Sequence, residues 1–245
     1  MMTAAITGQD VCRAAVTVKT SASGTRWIGL MTRTRQLYLL LLATLSACVP
    51  PALTQAASSA STGTGSGWVA EFIWSPEYCS KHRDSGEVQC LQGHGFVLHE
   101  MRRVVDGRVA ADCEDGAALS EAMLDQMAAF TRNRVQTLNT WRRHGRCSGL
   151  SETAYAAYAE YVDRRIIWPS AYAASAPEWQ GSADELVAAV IADNPVLKPE
   201  TVALQCRRRY LESINLCLDE RFEWSATACP LPDNCGDSVR LRPGR

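Results

Sequence analysis

The sequence lacks the short patterns that most often mark metal and phosphate sites. It has no CxxC pair and no HExxH motif, so the usual spacings of zinc ligands are missing. It also has no Gly-rich phosphate loop and no internal repeat. Its net charge is only -1, so the chain as a whole has no strong field that would attract nucleic acid or a membrane.

The composition is that of an ordinary globular protein. Of the 245 residues, 47% are hydrophobic and 21% are charged, which excludes collagen-like, disordered and coiled-coil chains. The length suits one domain, or two at most.

A short apolar run near the start predicts export. Residues 37–45 form a run of nine, whereas a membrane-spanning helix needs about 20 residues. A basic stretch precedes the run and Leu-Ser-Ala-Cys follows it, ending at Cys48, as in a secretory signal. This ending resembles a bacterial lipobox and implies a lipid on Cys48. The alternative is cleavage near Ala56 or Ala57, which leaves no lipid anchor.

The chain divides into four predicted segments. Residues 1–30 carry no signal feature, and we expect them to be a start-site artefact that precedes Met31. Residues 31–48 form the signal and lipobox, and residues 49–67 form a flexible tether rich in small and polar residues. Residues 68–245 form the folded domain. We expect it in the bacterial periplasm or envelope, attached to the membrane where Cys48 is lipidated.

Cysteine content predicts a disulfide-bonded domain. Ten cysteines are present, and Cys12 and Cys48 precede the folded domain. The remaining even number is typical of an exported disulfide framework, although it allows on the order of a hundred pairings. A metal site is the less favoured alternative because no ligand spacing supports it. The eight cysteines are Cys79, Cys90, Cys113, Cys147, Cys206, Cys217, Cys229 and Cys235.

Hydrophobic periodicity predicts a mixture of helices and strands. Gly145 could give a left-handed cap to a helix that ends over residues 138–143, and serines are placed to begin the two helices that follow. The predicted strands are residues 68–74, 95–99, 202–204 and 214–218, and the other predicted helices are residues 119–130, 151–167 and 182–192.

Four histidines are the candidates for acid–base chemistry near neutral pH. His82 and His94 lie in polar loops, which is typical of surface residues. His99 ends an apolar strand, and His144 follows a helical Trp-Arg-Arg segment.

Several separated motifs follow one another in a characteristic order. They are Trp74-Ser75-Pro76 with Cys79, GFVLH at residues 95–99, WRRHGRCSGL at residues 141–150, residues 193–219, Ala228-Cys229-Pro230 and CGDSVRL at residues 235–241. Together they resemble the ribonuclease T2 family over residues 68–241. The resemblance implies an α+β fold in which helices surround a central antiparallel sheet.

The catalytic motifs of that family are only partly retained. Its first motif is His-Gly-Leu-Trp-Pro, whereas residues 99–103 read His-Glu-Met-Arg-Arg. Its second motif is His-Glu-Trp-x-Lys-His-Gly-x-Cys, whereas residues 139–147 read Asn-Thr-Trp-Arg-Arg-His-Gly-Arg-Cys. The site therefore resembles a degenerate form of the family's active site.

The resemblance implies an endoribonuclease that acts on single-stranded RNA. His99 and His144 would be the base and the acid, and Arg143 would supply the cation that the family takes from Lys. The 2′-hydroxyl of RNA is the nucleophile, so no metal or cofactor is needed, and the product is a 2′,3′-cyclic phosphate. We expect a monomer.

Four further residues are candidates for substrate binding by the same resemblance. Asn139 replaces an auxiliary His, Thr140 replaces a Glu and loses its charge, and Trp141 is retained. Arg102 replaces a base-stacking Trp, and a guanidinium plane can also stack on bases. We expect Glu100 to face away from His99, because neighbouring strand residues alternate between faces.

The resemblance also implies four disulfide pairs. They are Cys79 with Cys90, Cys113 with Cys147, Cys206 with Cys235, and Cys217 with Cys229.

Two functions remain open from the sequence. Residues 126–151 contain five arginines and no acid, which suits RNA contact as well as it suits an unoccupied, solvated face. The first hypothesis is an exported endoribonuclease with weakened chemistry. The second is a catalytically inactive relative that binds RNA or protein at the envelope.

Overall fold

A central sheet and six helices make up the described part of the chain. The computed structural model describes residues 65–83, 86–110, 113, 116–224 and 228–244. The predicted signal segment, Cys48 and nearly all of the predicted tether lie outside these residues. Among the described helices, none is both long and apolar enough to cross a bilayer.

The sheet is antiparallel at its centre. Strands β3-β2-β1-β6-β7-β4 are neighbours in that order. β5 lies off this path and pairs with β6 along its whole length. All pairings are antiparallel except the short contact of β6 with β7. The strands are β1 Gly67–Trp74, β2 Phe96–Val105, β3 Arg108–Val109, β4 Trp179–Gly181, β5 Val202–Arg207, β6 Tyr210–Leu218 and β7 Val239–Leu241.

The helices begin largely where serine caps predict. The side chain of Ser151 accepts a hydrogen bond from the backbone N–H of Ala154, and Ser182 forms a capping box with Glu185. The helices are α1 Ser75–Lys81, α2 Val88–Leu91, α3 Glu121–Thr131, α4 Arg134–Thr140, α5 Glu152–Arg165 and α6 Ala183–Asp193.

The end of α4 differs from the prediction. Gly145 has no positive φ and does not cap a helix; instead, Trp141–Gly145 forms a π-helical turn. Two 3₁₀ turns, Ser170–Tyr172 and Pro199–Thr201, lie elsewhere in the chain. Single π-helical turns inside helical segments are frequent at functional sites.

The two faces of the sheet have different cores. One face buries the large side chains of Trp68, Phe72 and Leu98 in the main core, to which α3, α5 and α6 also contribute. Burial of each such side chain stabilises the fold by about 1.5–3 kcal/mol. The other face buries a smaller cluster around Val69 and Val104. Residues that alternate with the main core therefore point to this second face.

Four disulfides cross-link the domain, in the pairs that the resemblance implies. Each bridge typically stabilises a small domain by about 2–4 kcal/mol. The fold is thus the disulfide-bonded α+β architecture predicted from the sequence. The bridge between Cys113 and Cys147 ties the second residue after the π-helical turn to the segment that follows β3.

Candidate functional site

A bulge in β2 determines where His99 points. Glu71 pairs with Glu100, and Phe72 pairs with Leu98, so His99 is an extra residue between two normal pairs. Because of this extra residue, His99 and Glu100 both turn toward Glu71 on the second face of the sheet. His99 Nδ1 lies 3.3 Å from Glu71 Oε2, and the His99 side chain is 18% exposed.

Glu71 is a half-buried carboxylate in an otherwise apolar strand. Its Oε1 accepts a hydrogen bond of 2.7 Å from the hydroxyl of Ser213. Burial alone would raise its pKa, but the hydrogen bond and charge of His99, together with Arg102, lower the pKa to about 2. Glu71 is therefore ionised at all ordinary pH values and can orient His99.

The π-helical turn carries His144 into the interior. Its Nδ1 lies 3.1 Å from the carbonyl oxygen of Ala110, and since a carbonyl only accepts, Nδ1 must donate. Nε2 is buried without a hydrogen bond and lies 3.3 Å from Glu100 Oε2. This contact attracts only when Nε2 also carries a proton. The His144 side chain is just 2% exposed.

The carboxylate of Glu100 lies close to both histidines. Its carboxylate contacts His144, and one of its oxygens lies within 4.8 Å of a ring nitrogen of His99. Its other oxygen, Oε1, lies 3.3 Å from Arg102 Nε. The expectation that Glu100 faces away from His99 is therefore wrong, because the bulge breaks the alternation of the strand.

The guanidinium of Arg102 is held inside the site by two neighbouring side chains. Its guanidinium donates a 2.6 Å hydrogen bond to Asn215 Oδ1 and lies beside Glu100, so it does not present a free plane to a base. The predicted stacking role for Arg102 is thus not available in this arrangement.

Three of these side chains could hold a metal ion. The ligand atoms of Glu71, His99 and Glu100 all lie within 4.8 Å of one another. The positive guanidinium of Arg102 beside Glu100 opposes a cation at this position.

Trp141 and Gly145, two retained residues of the second motif, serve packing. Trp141 is 3% exposed, donates from its indole N–H to the carbonyl of Ala117 and packs edge-on against Tyr155. A Cβ on Gly145 would lie 2.1 Å from the Trp141 ring, so only glycine fits there. The structure places Trp141 in the core and not on a surface that RNA could reach.

Thr140 links α4 to the bulge. It is 3% exposed, and its hydroxyl donates to the backbone carbonyl of His99 at 3.3 Å. The cavity that Thr140, His99 and Glu100 share with their neighbours has a volume of about 10 Å³, room for about one water at most. Thr140 therefore fixes the backbone at His99 through this hydrogen bond, and it is too deeply buried to contact a substrate.

The predicted basic patch is partly neutralised. Arg134 pairs with Glu121 and Asp125 from the preceding helix. Asn139 and Arg143 are exposed, and Arg143 directly precedes His144 in the π-helical turn.

Sequence reasoning missed Glu71 and its partner Ser213. One signal was available, because a lone carboxylate inside the apolar strand WVAEFIW needs a buried partner. The partner itself lies far along the chain and could not be identified without the fold.

Sequence comparisons with known proteins match only a part of this chain. No family model matches the chain. A ribonuclease of Aeromonas hydrophila is 33% identical over 79 residues, which are 32% of this chain and 36% of that protein. The chain thus matches about a third of the length of this curated relative.

Solved structures match over a larger part of the chain. Ribonuclease MC1 from the seeds of bitter gourd has a TM-score of 0.56 at 18% identity, covering 71% of this chain and 98% of that one. An RNase-related protein from Calystegia sepium has a TM-score of 0.58 at 12% identity, covering 71% and 96%. The chain therefore has the α+β fold of the ribonuclease T2 family, and the resemblance predicted from its motifs is confirmed.

Proposed function

We propose that the protein is an exported endoribonuclease that cleaves single-stranded RNA by metal-independent transesterification, at a rate limited by Glu100. The observation that carries this proposal is the meeting of His99 and His144, from two distant motifs, at a single carboxylate. A carboxylate and a phosphodiester each present two oxygens that share a negative charge, so hydrogen-bond donors that bind one can bind the other.

The chemistry needs a base, an acid and a positive charge. One imidazole removes the proton of the 2′-hydroxyl, the other protonates the leaving 5′-oxygen, and the 2′,3′-cyclic phosphate forms. Arg102, once released from Glu100, or the exposed Arg143 would stabilise the negative charge that develops on phosphorus. Glu71 would hold His99 in one orientation.

Glu100 accounts for the weakened activity that we propose. Its negative charge lies where the phosphate must bind, and it repels that group. RNA can reach His144 only when the Glu100 side chain moves aside, since His144 is 2% exposed. The family glycine at this position would leave the space open.

The test is a cleavage assay of the purified protein on yeast RNA with EDTA present, from about pH 4 to about pH 8. We expect slow cleavage to a cyclic phosphate, abolished in His99→Ala and in His144→Ala. Cleavage that persists in either variant, or that requires an added metal ion, would contradict the assignment of the two histidines.

A second candidate function rests on the burial of His144. A closed site with an internal anion suits a catalytically inactive relative that binds RNA at the cell envelope. Absence of cleavage, together with RNA binding that weakens as salt rises, would favour this second function.

Several features support export and RNA as the partner. A domain with four disulfides is typical of oxidising compartments. A mutant of ribonuclease MC1 has been solved in complex with 5′-GMP, so that relative binds a nucleotide. We extend both features to this chain as proposals, together with a periplasmic location and a lipid on Cys48. Mass spectrometry of the mature N-terminus tests the lipid.

A further inference from the structure

A group of arginines converges at the end of the sheet where β5 turns into β6. Arg207, Arg208 and Arg209 are consecutive and exposed, and Arg240 and Arg242 of the C-terminal segment lie beside them. The backbone N–H of Arg240 donates to the carbonyl of Arg209, which fixes the two segments together. We call these five arginines the hairpin arginine cluster.

Carboxylates neutralise only part of this cluster. Arg207 pairs with Glu212, Arg240 with Glu178 and Arg242 with Glu77. Within the described part of the chain, the guanidinium groups of Arg208 and Arg209 make no ion pair. Two cations are thus held at an exposed turn without a counter-charge.

The backbone conformation of this turn is unfavourable for arginine. Arg208 and Arg209 form a two-residue hairpin turn in which Arg208 has a φ of 61°. A positive φ at the first position of such a turn strongly favours glycine. Arginine therefore occupies this position at a cost in backbone strain.

The cluster borders two concave surfaces and an aromatic ring. A cavity of about 290 Å³ is lined by Arg207, Arg208, Arg242, Tyr210 and Glu77. A second cavity of about 210 Å³ shares Arg242 and adds Arg83 and His94. The guanidinium of Arg242 lies 3.9 Å from the centre of the Tyr210 ring. Grooves lined by cations with an aromatic ring are typical of single-stranded nucleic acid sites.

The cluster lies close to the histidine site along one strand. Tyr210 is three residues before Ser213, whose hydroxyl binds Glu71. At about 3.3 Å per residue, the distance along β6 is about 10 Å. A single strand bound at His99 could therefore continue over this surface.

We infer that the hairpin arginine cluster is a second phosphate-binding surface. It binds the part of a long RNA backbone that extends beyond the histidine site. The inference rests on the proposed function for the identity of the ligand. Arg208 and Arg209 contact the phosphodiester groups, and the Tyr210 ring holds Arg240 and Arg242 beside them. The surface makes the protein prefer long strands to short ones.

The test measures binding of 2′-O-methyl RNA, which cannot be cleaved because its nucleophile is blocked. Oligonucleotides of about 4 and about 20 nucleotides are compared by fluorescence anisotropy. The variant Arg208→Gly with Arg209→Ser removes both cations while giving the turn residues that it favours, so we expect it to fold. Arg164→Ala with Arg221→Ala removes two exposed charges elsewhere and is the matched control.

The turn variant should bind the long oligonucleotide roughly tenfold more weakly at low salt and leave the short one unchanged. The slope of log affinity against log salt should fall by about 1.4, about 0.7 for each lost phosphate contact. Unchanged affinity for the long strand, or an equal loss for both lengths, would overturn the inference. Binding to anionic lipid vesicles is measured in the same way. If the turn variant loses affinity for the vesicles and not for the long RNA, the inference is likewise overturned.

Cleavage of unmodified RNA by the unchanged protein is measured separately. If that cleavage is absent while the length preference depends on Arg208 and Arg209, the proposed catalysis fails and the second surface stands. If cleavage is present and the length preference does not depend on Arg208 and Arg209, the proposed catalysis stands and the second surface fails.

Discussion

The two histidines of the site occupy different environments although each faces a glutamate. His99 lies on a bulged strand with its side chain 18% exposed, whereas His144 lies in a π-helical turn and is 2% exposed. Glu71, the partner of His99, has a side chain that is 18% exposed. Glu100, the partner of His144, is only 7% exposed, so the second pair is buried as a unit. Retention of a catalytic residue type therefore says little about access to it.

The largest expected effect comes from removing the carboxylate that blocks His144. Glu100→Gly and Glu100→Gln should each raise kcat/KM for RNA cleavage, by roughly a hundredfold, because they remove negative charge from the place where phosphate binds. Steady-state cleavage of a fluorogenic oligonucleotide measures the change.

Glu220→Gln is the control for this prediction, since Glu220 is an exposed carboxylate that pairs with Arg103. It should leave the rate unchanged. A folded Glu100→Gln protein with the rate of the unchanged chain would show that the charge of Glu100 does not limit cleavage, and the same result for Glu100→Gly would show that its side chain does not limit access to His144.

The next effect concerns the packing that holds the π-helical turn. Gly145→Ala places a Cβ 2.1 Å from an atom of the Trp141 ring, and the overlap should lower the free energy of unfolding by about 2–3 kcal/mol. Gly236→Ala is the control, because, its chain neighbours aside, no atom of the described residues lies within 4 Å of its Cβ position. Equal thermal stability of the two variants would mean that the turn is not fixed by this contact.

The partner of His99 can be tested through acid stability. The Glu71 pKa is about 2 in the fold and 4.5 in the unconstrained state, so its stabilisation is present above pH 4.5 and is lost as pH falls toward 2. Glu71→Gln should lower stability by about 1.5 kcal/mol near neutral pH. It should also flatten the loss of stability below pH 4.5, measured by urea unfolding. A parallel acid profile would contradict the pairing.

Asp163 gives the smallest expected effect, with the opposite sign. Burial raises its pKa from 3.8 to about 6, despite the opposing charges of Arg132 and Arg164. Its contribution to stability is therefore present below pH 3.8 and is lost as pH rises through about 6. Asp163→Asn should raise stability by about 1 kcal/mol near pH 8 and hardly change it near pH 4. A gain of the same size at both pH values would contradict this account.

The longer elements of the fold were predictable and the shorter ones were not. The strand through Phe72 and the helices capped by Ser151 and Ser182 follow from periodicity and capping. The three-residue strands β4 and β7 carry too few residues for a periodic pattern, and they pair only because tertiary contacts bring them together.

The site was predictable in its histidines and not in its carboxylates. His99 and His144 follow from the two motifs. The position of Glu100 depends on one unpaired residue in a strand, and period-2 alternation cannot reveal such an insertion. Local sequence therefore identified the two candidate histidines, whereas the register of the sheet decided which charges surround them.

The bulge in β2 has an evolutionary consequence. Because it turns two adjacent side chains toward the same space, the residue after the histidine decides whether that space is empty or filled. A glycine codon becomes a glutamate codon by a single base change. A filled space beside the histidine and an empty one are thus separated by a single base change, which leaves the strands and helices around it in place.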